Sequence, residues 1–323
     1  MIRFLELELS SRCNASCSVC PRFEQGKLNK NFAYHDLSLE VLQNNISKEI
    51  WDSILSVTLK GTVGDASFNP HLKPILDFLS EKDTKLHTNG SNRNAAWWQS
   101  IVRENLITRF CIDGTDSNVH SRYRHTDFDR VMSNAKSYIA AGGRAEWFFI
   151  VFNHNQHQLD AAKQMAKDLG FESFEAIYSD RYTDQPDSLA PYDNLTSLRQ
   201  IALESRIFID PTARRFIDWS DNNDLWSINR KRAPVKRCPA LQDKAIYIAS
   251  DGIVWPCCYY GSSNLTKNDL LWKIFKTKVL KNDTDSMNIN CVSLDTILQN
   301  SAWQWWDDYV TISNPKTCQE RCG

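Results

Sequence analysis

Cys13, Cys17 and Cys20 place three thiols within eight residues, in the stretch Ser11-Arg12-Cys13-Asn14-Ala15-Ser16-Cys17-Ser18-Val19-Cys20-Pro21. Thiolates are the ligands of cubane iron–sulfur clusters, which need four of them to be saturated. Three leave one iron open to a non-protein ligand, and an open iron points to chemistry beyond electron carriage. Other uses of the same residues stand beside this one. Positions i, i+4 and i+7 share a helix face, where three small apolar side chains would pack into a core. Zinc or a disulfide would also accept them. Asn14, Ser16, Ser18 and Pro21 are poor helix-interior residues, which favours a loop over a packed helix.

The spacing Cys13-x3-Cys17-x2-Cys20 resembles that of the radical S-adenosylmethionine (SAM) enzymes. The resemblance implies that these cysteines hold a [4Fe-4S] cluster whose fourth iron chelates the amino and carboxylate groups of SAM. It implies reductive cleavage of SAM to methionine and a 5′-deoxyadenosyl radical, hydrogen abstraction from a substrate, and a reductase or a flavodoxin- or ferredoxin-type electron donor. One departure is visible at Val19, where the family usually carries an aromatic residue near the adenine. Valine keeps the position apolar and gives up ring stacking.

Composition sets the bounds on this reading. The 323 residues include 42% hydrophobic and 24% charged residues, the balance of a globular protein of one large or two ordinary domains. A formal net charge of -1 gives no electrostatic footprint for nucleic acid or a membrane surface. No apolar run approaches the length of a membrane span and no signal peptide is present, so a cytoplasmic location is expected. Of the ten cysteines, Cys111 stands alone and the others fall into two groups, which suits metal-binding thiolates better than a disulfide scaffold.

The elements that would position the first group alternate between strand and helix. Residues 3–9 read as a strand that delivers the cysteine loop, and Phe23 to Asp36 as a loop over it. Ser38 reads as the N-cap of a helix near 38–50. Strands follow at Ile54–Leu59, Thr84–Thr88, Ile107–Ile112, Glu146–Phe152 and Phe174–Tyr178, separated by helices that begin near Asn69-Pro70, 94, Asp127 and 156. Six such units predict parallel pairing with right-handed crossovers in a closed or partly closed barrel. The family resemblance implies the same α/β class, a partial (β/α)6 TIM-type barrel over residues 1–178. Residues 179–236 read as a linker and cover segment with one helical piece near 194–206, and residues 237–323 as a small, cysteine-rich α+β domain.

Parallel barrels place reactive groups at the C-terminal ends of strands. After the second strand comes Gly61-Thr62-Val63-Gly64-Asp65, whose glycines would let backbone approach a ligand and whose carboxylate would accept from an ammonium. As a bare motif it is also an ordinary connecting loop. It resembles the Gly-Gly-Glu segment that holds the amino group of SAM, which implies roles for Gly64 and Asp65. Thr88-Asn89-Gly90 resembles a Thr-Asn-Gly turn of the same family and is equally an ordinary turn. Cys111-Ile112-Asp113-Gly114 is similar to a Ser-x-Asp-Gly motif near the SAM ribose and carboxylate, with Cys111 in place of serine as a packing thiol or, alternatively, a hydrogen-atom donor to a substrate radical. Arg124, in the loop that follows, matches an arginine position for the SAM carboxylate, and Asn155 a polar residue that holds the nucleoside.

In the C-terminal segment the Asp251-Gly252 hairpin turn would bring Cys238 and Cys257 together. With Cys318 and Cys322 they make four thiolates, and the pattern resembles the SPASM or twitch auxiliary-cluster domain, in a form with one further [4Fe-4S] cluster. A structural zinc site would use the same four residues. Cys258 and Cys291 are spare or alternative ligands, and Trp303, Trp305 and Trp306 read as packing. The resemblance implies a peptide or protein substrate for oxidation, cross-linking or epimerisation, with a small molecule or nucleoside as the alternative. Because the first strand begins at residue 3, no leader-binding domain is expected ahead of the barrel, and a separate recognition partner or direct binding would serve. A non-catalytic iron–sulfur or zinc protein is the reading of another class.

Overall fold

Alternation of apolar and polar residues becomes strand wherever one side chain in two can be buried. The computed structural model describes residues 2–18, 20–24, 27–29, 32–152, 154–178, 244–261, 275–303, 305 and 306. Its strands are β1 (Phe4–Leu7), β2 (Phe23–Glu24), β3 (Lys27–Leu28), β4 (Ser56–Leu59), β5 (Asp83–Thr88), β6 (Leu106–Cys111), β7 (Arg144–Val151), β8 (Ser173–Tyr178), β9 (Ala245–Ile248) and β10 (Val254–Trp255). Eight of them form one sheet in the order β10-β9-β1-β4-β5-β6-β7-β8, and β2 pairs with β3. Parallel pairing of β1 with β4, β6 with β7 and β7 with β8 gives a mixed α/β fold of the partial TIM-barrel kind. The expected linker at 179–236 and its helix near 194–206 lie outside the described residues.

The chain divides into two compact units, one of Met1–Cys13, Glu24–Thr84 and Asn229–Gly323, the other of Asn14–Phe23 and Lys85–Ile228. In the first, β1 lies between β4 and β9, with Glu6 opposite Thr58 on one side and Tyr247 on the other. β9, from the segment expected to form the C-terminal domain, therefore pairs directly with the first strand. It turns into β10 through Asp251-Gly252, with Gly252 at φ +90°, and Trp255 stands opposite Tyr247 as the hairpin motif predicts. Trp255 and Tyr260 enclose the buried Trp306, with ring centroids 6.3 and 4.6 Å away, so this tryptophan packs.

The single helix expected at 38–50 is two, α1 (Leu39–Asn45) and α2 (Lys48–Ser53). Ile46 is buried in extended backbone, and the Ser47 hydroxyl caps the second helix through Ile50 N–H. α3 (Leu72–Phe78) buries Leu72, Ile75 and Leu76 as its spacing predicts.

In the second unit, α4 (Ala95–Ser100), α5 (Ser117–Arg124), α6 (Phe128–Ala140) and α7 (Leu159–Asp168) follow the strands. One sheet face is aromatic. Phe110 packs on Trp98 of α4 at 5.3 Å and on Tyr138 of α6 at 5.9 Å, and Trp147 packs on Phe174 at 6.1 Å. The opposite face carries charge. Glu146 Oε1 accepts from Lys85 Nζ at 2.9 Å and its Oε2 from Arg109 Nε at 2.7 Å, while Arg109 Nη2 reaches Glu175 Oε2 at 2.7 Å. These four residues stand on four adjacent strands, two cations against two carboxylates. Burial pushes the Glu146 carboxyl up, but Arg109 and Lys85 together pull it below the usual carboxylate range.

Glu146→Gln keeps the volume and removes the shared counter-charge, leaving two cations facing each other. It is expected to cost about 3 kcal/mol in unfolding free energy, the scale for stranding a buried charge, measured by chemical denaturation.

Candidate functional site

The first unit brings the start of the cysteine loop against the glycine loop after β4. Asp65 N–H donates to Arg12 O at 2.8 Å. A Cβ on Gly64 would lie 1.7 Å from Ser10 O, and one on Gly61 1.9 Å from Gly64 O. Only glycine permits this approach of two backbones, so the sequence motif has a structural basis here. Asp65 is buried, and its Oδ1 accepts from Ser67 N–H at 2.9 Å and Ser67 Oγ at 2.7 Å, capping the turn Ala66–Phe68. Asn69 Nδ2 donates to Leu9 O and Leu37 O at 2.6 and 2.8 Å, tying the same loop to the end of β1.

The second unit holds Cys17, Cys20 and four of the proposed contact residues. Arg124 lies on helix α5 and not in a loop. Asp116 caps this helix by accepting from Val119 N–H. Arg124 Nε donates to Asp113 Oδ2 at 2.6 Å, both side chains nearly or fully buried. Asp113 Oδ1 accepts from Ile150 N–H at 2.6 Å, and Asp113 O accepts from Asn155 Nδ2 at 3.0 Å. Asn155 also caps its own turn, its Oδ1 accepting from Phe152 N–H. Three residues that sequence reasoning assigned to ligand contacts are thus bonded to one another.

Burial pushes the Asp113 carboxyl up while the guanidinium opposes it, and because arginine does not give up its proton the two stand as an ion pair. His120 is held neutral at about 3, first by burial and then by Arg124. Its Nδ1 accepts from Asp113 N–H at 3.1 Å, so Nε2 carries the proton and donates to Thr126 Oγ1 at 2.8 Å.

This network reaches the thiols. Cys17 Sγ lies 4.0 Å from Arg124 O, and Cys17, like Ile150, packs against the buried pair Tyr123 and Phe152. Burial pushes its thiol up, and Arg124 pulls the other way. Cys20 Sγ accepts from Arg22 Nε at 3.4 Å, and the buried Arg22 also donates to Ala15 O, bracing the loop. Arg22 was not singled out from sequence, since an arginine after Cys-Pro carries no motif. Asn89 Nδ2 donates to Asn14 Oδ1 at 3.2 Å, and Asn14 Nδ2 to Ser91 Oγ at 2.9 Å. The Thr-Asn-Gly turn therefore holds the cysteine loop. Cys111 is half-buried and shares the charged face of the sheet with Arg109, where a packing thiol was expected.

Among the described residues no three His, Cys, Asp or Glu side chains are grouped as a metal-ligand set. The donor chemistry of the loop fits a cluster all the same. Cys13, Cys17 and Cys20 are half-buried and outside any disulfide, and two sequestered guanidiniums stand by to offset thiolate charge. Of the expected second set, Cys238, Cys318 and Cys322 lie outside the described residues, and Cys257 is half-buried. Cys258 is buried with its sulfur 3.7 Å from Lys60 Nζ, and Cys291 is exposed. No helix among the described residues is long and apolar enough to cross a membrane.

No protein-family model and no curated protein matches the sequence. Solved structures do match. The anSMEcpe structure with bound AdoMet aligns over 99% of this chain and 84% of its own, at 15% identity and a TM-score of 0.62. SuiB of Streptococcus suis bound to S-adenosylmethionine aligns over 85% of this chain, at 16% identity and a TM-score of 0.60. The chain has a radical SAM fold. SuiB bound to its precursor peptide SuiA aligns over the same 85%, at 15% identity and a TM-score of 0.58. The chain spans 65% of the length of SuiB.

Asp113→Asn keeps the hydrogen bonds to Ile150 and Asn155 within reach but leaves Arg124 without its counter-charge. The expected cost is about 3 kcal/mol of stability in a urea titration, with Asp113→Asn/Arg124→Met recovering part of it.

Proposed function

We propose that this chain is a radical SAM enzyme that takes one electron at a [4Fe-4S] cluster held by Cys13, Cys17 and Cys20, cleaves S-adenosylmethionine reductively, and removes a hydrogen atom from a peptide or protein. The observation that carries this reading is the Cys-x3-Cys-x2-Cys loop lying directly after the first strand of a radical SAM fold, braced by Arg22 and Arg124. A cluster held by these three thiolates would supply the reducing electron and an iron without a fourth protein ligand, open to the amino-acid end of SAM.

The protein's own residues would do the rest. The Gly61–Gly64 loop offers backbone to the methionine end of SAM, with Asp65 at its close to receive the ammonium. The Asp113, Arg124 and Asn155 network would set the position of the strand ends toward the ribose and carboxylate. Cys257, with Cys238, Cys318 and Cys322, is the proposed ligand set of a second [4Fe-4S] cluster that exchanges an electron with the substrate. A flavodoxin- or ferredoxin-type donor would supply the reducing equivalents. A peptide substrate is supported by the fold shared with SuiB, which binds its precursor peptide SuiA.

Anaerobic reconstitution is expected to give about eight irons per chain. Dithionite with SAM is then expected to release 5′-deoxyadenosine, read by chromatography, and Cys13→Ala to abolish that release. Release that survives Cys13→Ala would overturn the proposal, and about four irons together with bound zinc would remove the second cluster.

A further inference from the structure

The residues assigned so far leave one sequestered acid without a role. Glu8 follows β1 and is 3% exposed. Its Oε1 accepts from Val63 N–H at 2.8 Å, the Thr62 N–H is also directed at the carboxyl, and its Oε2 lies 2.9 Å from Tyr247 Oη and 3.5 Å from Ser250 Oγ. Tyr247 Oη in turn lies 3.2 Å from Thr62 Oγ1. Every group bonded to this carboxyl is neutral. The titratable groups facing it are Tyr247 on β9 and Asp251 in the turn after it, and Lys60 at the base of the glycine loop is turned to Cys258.

A lone buried carboxylate with a second acid nearby is an expensive arrangement, because desolvation penalises the charge and no cation repays it. Burial pushes the Glu8 carboxyl up against the opposing pull of Val63, Tyr247 and the Thr62 N–H, and Asp251 adds to the rise. The hydrogen-bond count shows what a proton would do here. With Glu8 neutral, Oε2–H donates to Tyr247 Oη and Tyr247 donates to Thr62 Oγ1, so each donor has one acceptor. With Glu8 ionised, Tyr247 must turn its proton to the carboxylate and Thr62 must reverse from acceptor to donor. Both chains end on the Gly61–Gly64 loop.

We propose that Glu8 carries its proton at neutral pH and that the neutral carboxyl, through Val63 directly and through Tyr247 to Thr62, positions the Gly61–Gly64 loop for the amino-acid end of S-adenosylmethionine. The assignment of that loop to SAM rests on the function proposed above. Glu8 is a positioning residue, acting on the ligand only through the loop.

The test uses the reconstituted protein, with SAM dissociation constants by equilibrium dialysis between pH 6 and 9. Glu8→Gln supplies an amide donor to Tyr247 and an amide oxygen to Val63, so it is expected to bind within about twofold of the wild type at pH 6 and to keep that affinity at pH 9. The wild type is expected to lose about tenfold per pH unit once Glu8 gives up its proton, the slope of a one-proton requirement. Tyr247→Phe, which breaks the path to Thr62, is expected to bind more weakly at every pH. Glu8→Gln binding as weakly as Tyr247→Phe, or sharing the wild-type pH curve, would overturn the proposal.

Thermal melts without SAM separate the two levels of the argument. A carboxyl raised in the folded state contributes stability that is present below its unfolded range and lost as pH rises through the folded value. The melting temperature of the wild type should therefore fall relative to Glu8→Gln between pH 5 and 9, and a constant gap would overturn the protonated carboxyl. Absence of SAM binding by the wild type at any pH would instead sink the functional reading and, with it, the loop's role, while the melts still report the proton on Glu8.

Discussion

The arrangement of the second unit depends on the buried ion pair between Asp113 and Arg124. Through the side chain and backbone of one residue, four groups on three segments are fixed: Ile150 at the end of β7, Asn155 in the loop beyond it, and on α5 both His120 and the guanidinium that stands beside Cys17. Such a pair adds little net stability over an apolar substitute, since desolvation consumes most of its attraction. Its value is discrimination. Any displacement that separates the charges leaves both in a low-dielectric interior, so alternative settings of the helix and the strand ends are disfavoured far more than the native one is favoured.

The same logic explains why the cysteine loop needs so many braces. A loop of Asn, Ala and Ser has no intrinsic shape, so its course is set by the groups that bond to it. Asn89 and Ser91 hold Asn14, while Arg22 spans from the Ala15 carbonyl to the Cys20 sulfur. Backbone contact between Ser10 and Gly64, with the Asp65 amide on Arg12, sets where the loop begins. Each brace is short-range, neutral or cationic, and indifferent to what the rest of the chain does.

Much of this was legible in the residues. Period-two alternation located the six strands of the barrel, and the glycine loop and the Asp-Gly hairpin each marked a close backbone approach or a turn that the fold uses. Asp113, Arg124 and Asn155 stood out as polar residues near strand ends, but their bonding to one another did not, because the contact between Asp113 and Arg124 requires helix α5. Its sequence, Ser-Asn-Val-His-Ser-Arg-Tyr-Arg, is too polar to show an apolar stripe, and only Asp116 as a cap betrays it. Glu8 was passed over as one polar position in an alternating strand, since nothing local reveals Tyr247, more than two hundred residues away. Pairing of β9 with β1 escaped for the same reason. Alternation shows that a strand exists and says nothing about which strand it finds.

The four interlocked charges on β5 to β8 bear on how this protein can change. Lys85, Arg109, Glu146 and Glu175 are neutral only as a set, and removing any one leaves an unbalanced charge among the other three. Single substitutions cannot hollow out or enlarge that face without passing through a poorly folding intermediate, whereas the loops at the strand ends carry no such obligation. Divergence toward new substrates is therefore channelled into the rim of the sheet, and the charged face is inherited nearly whole or replaced in one step.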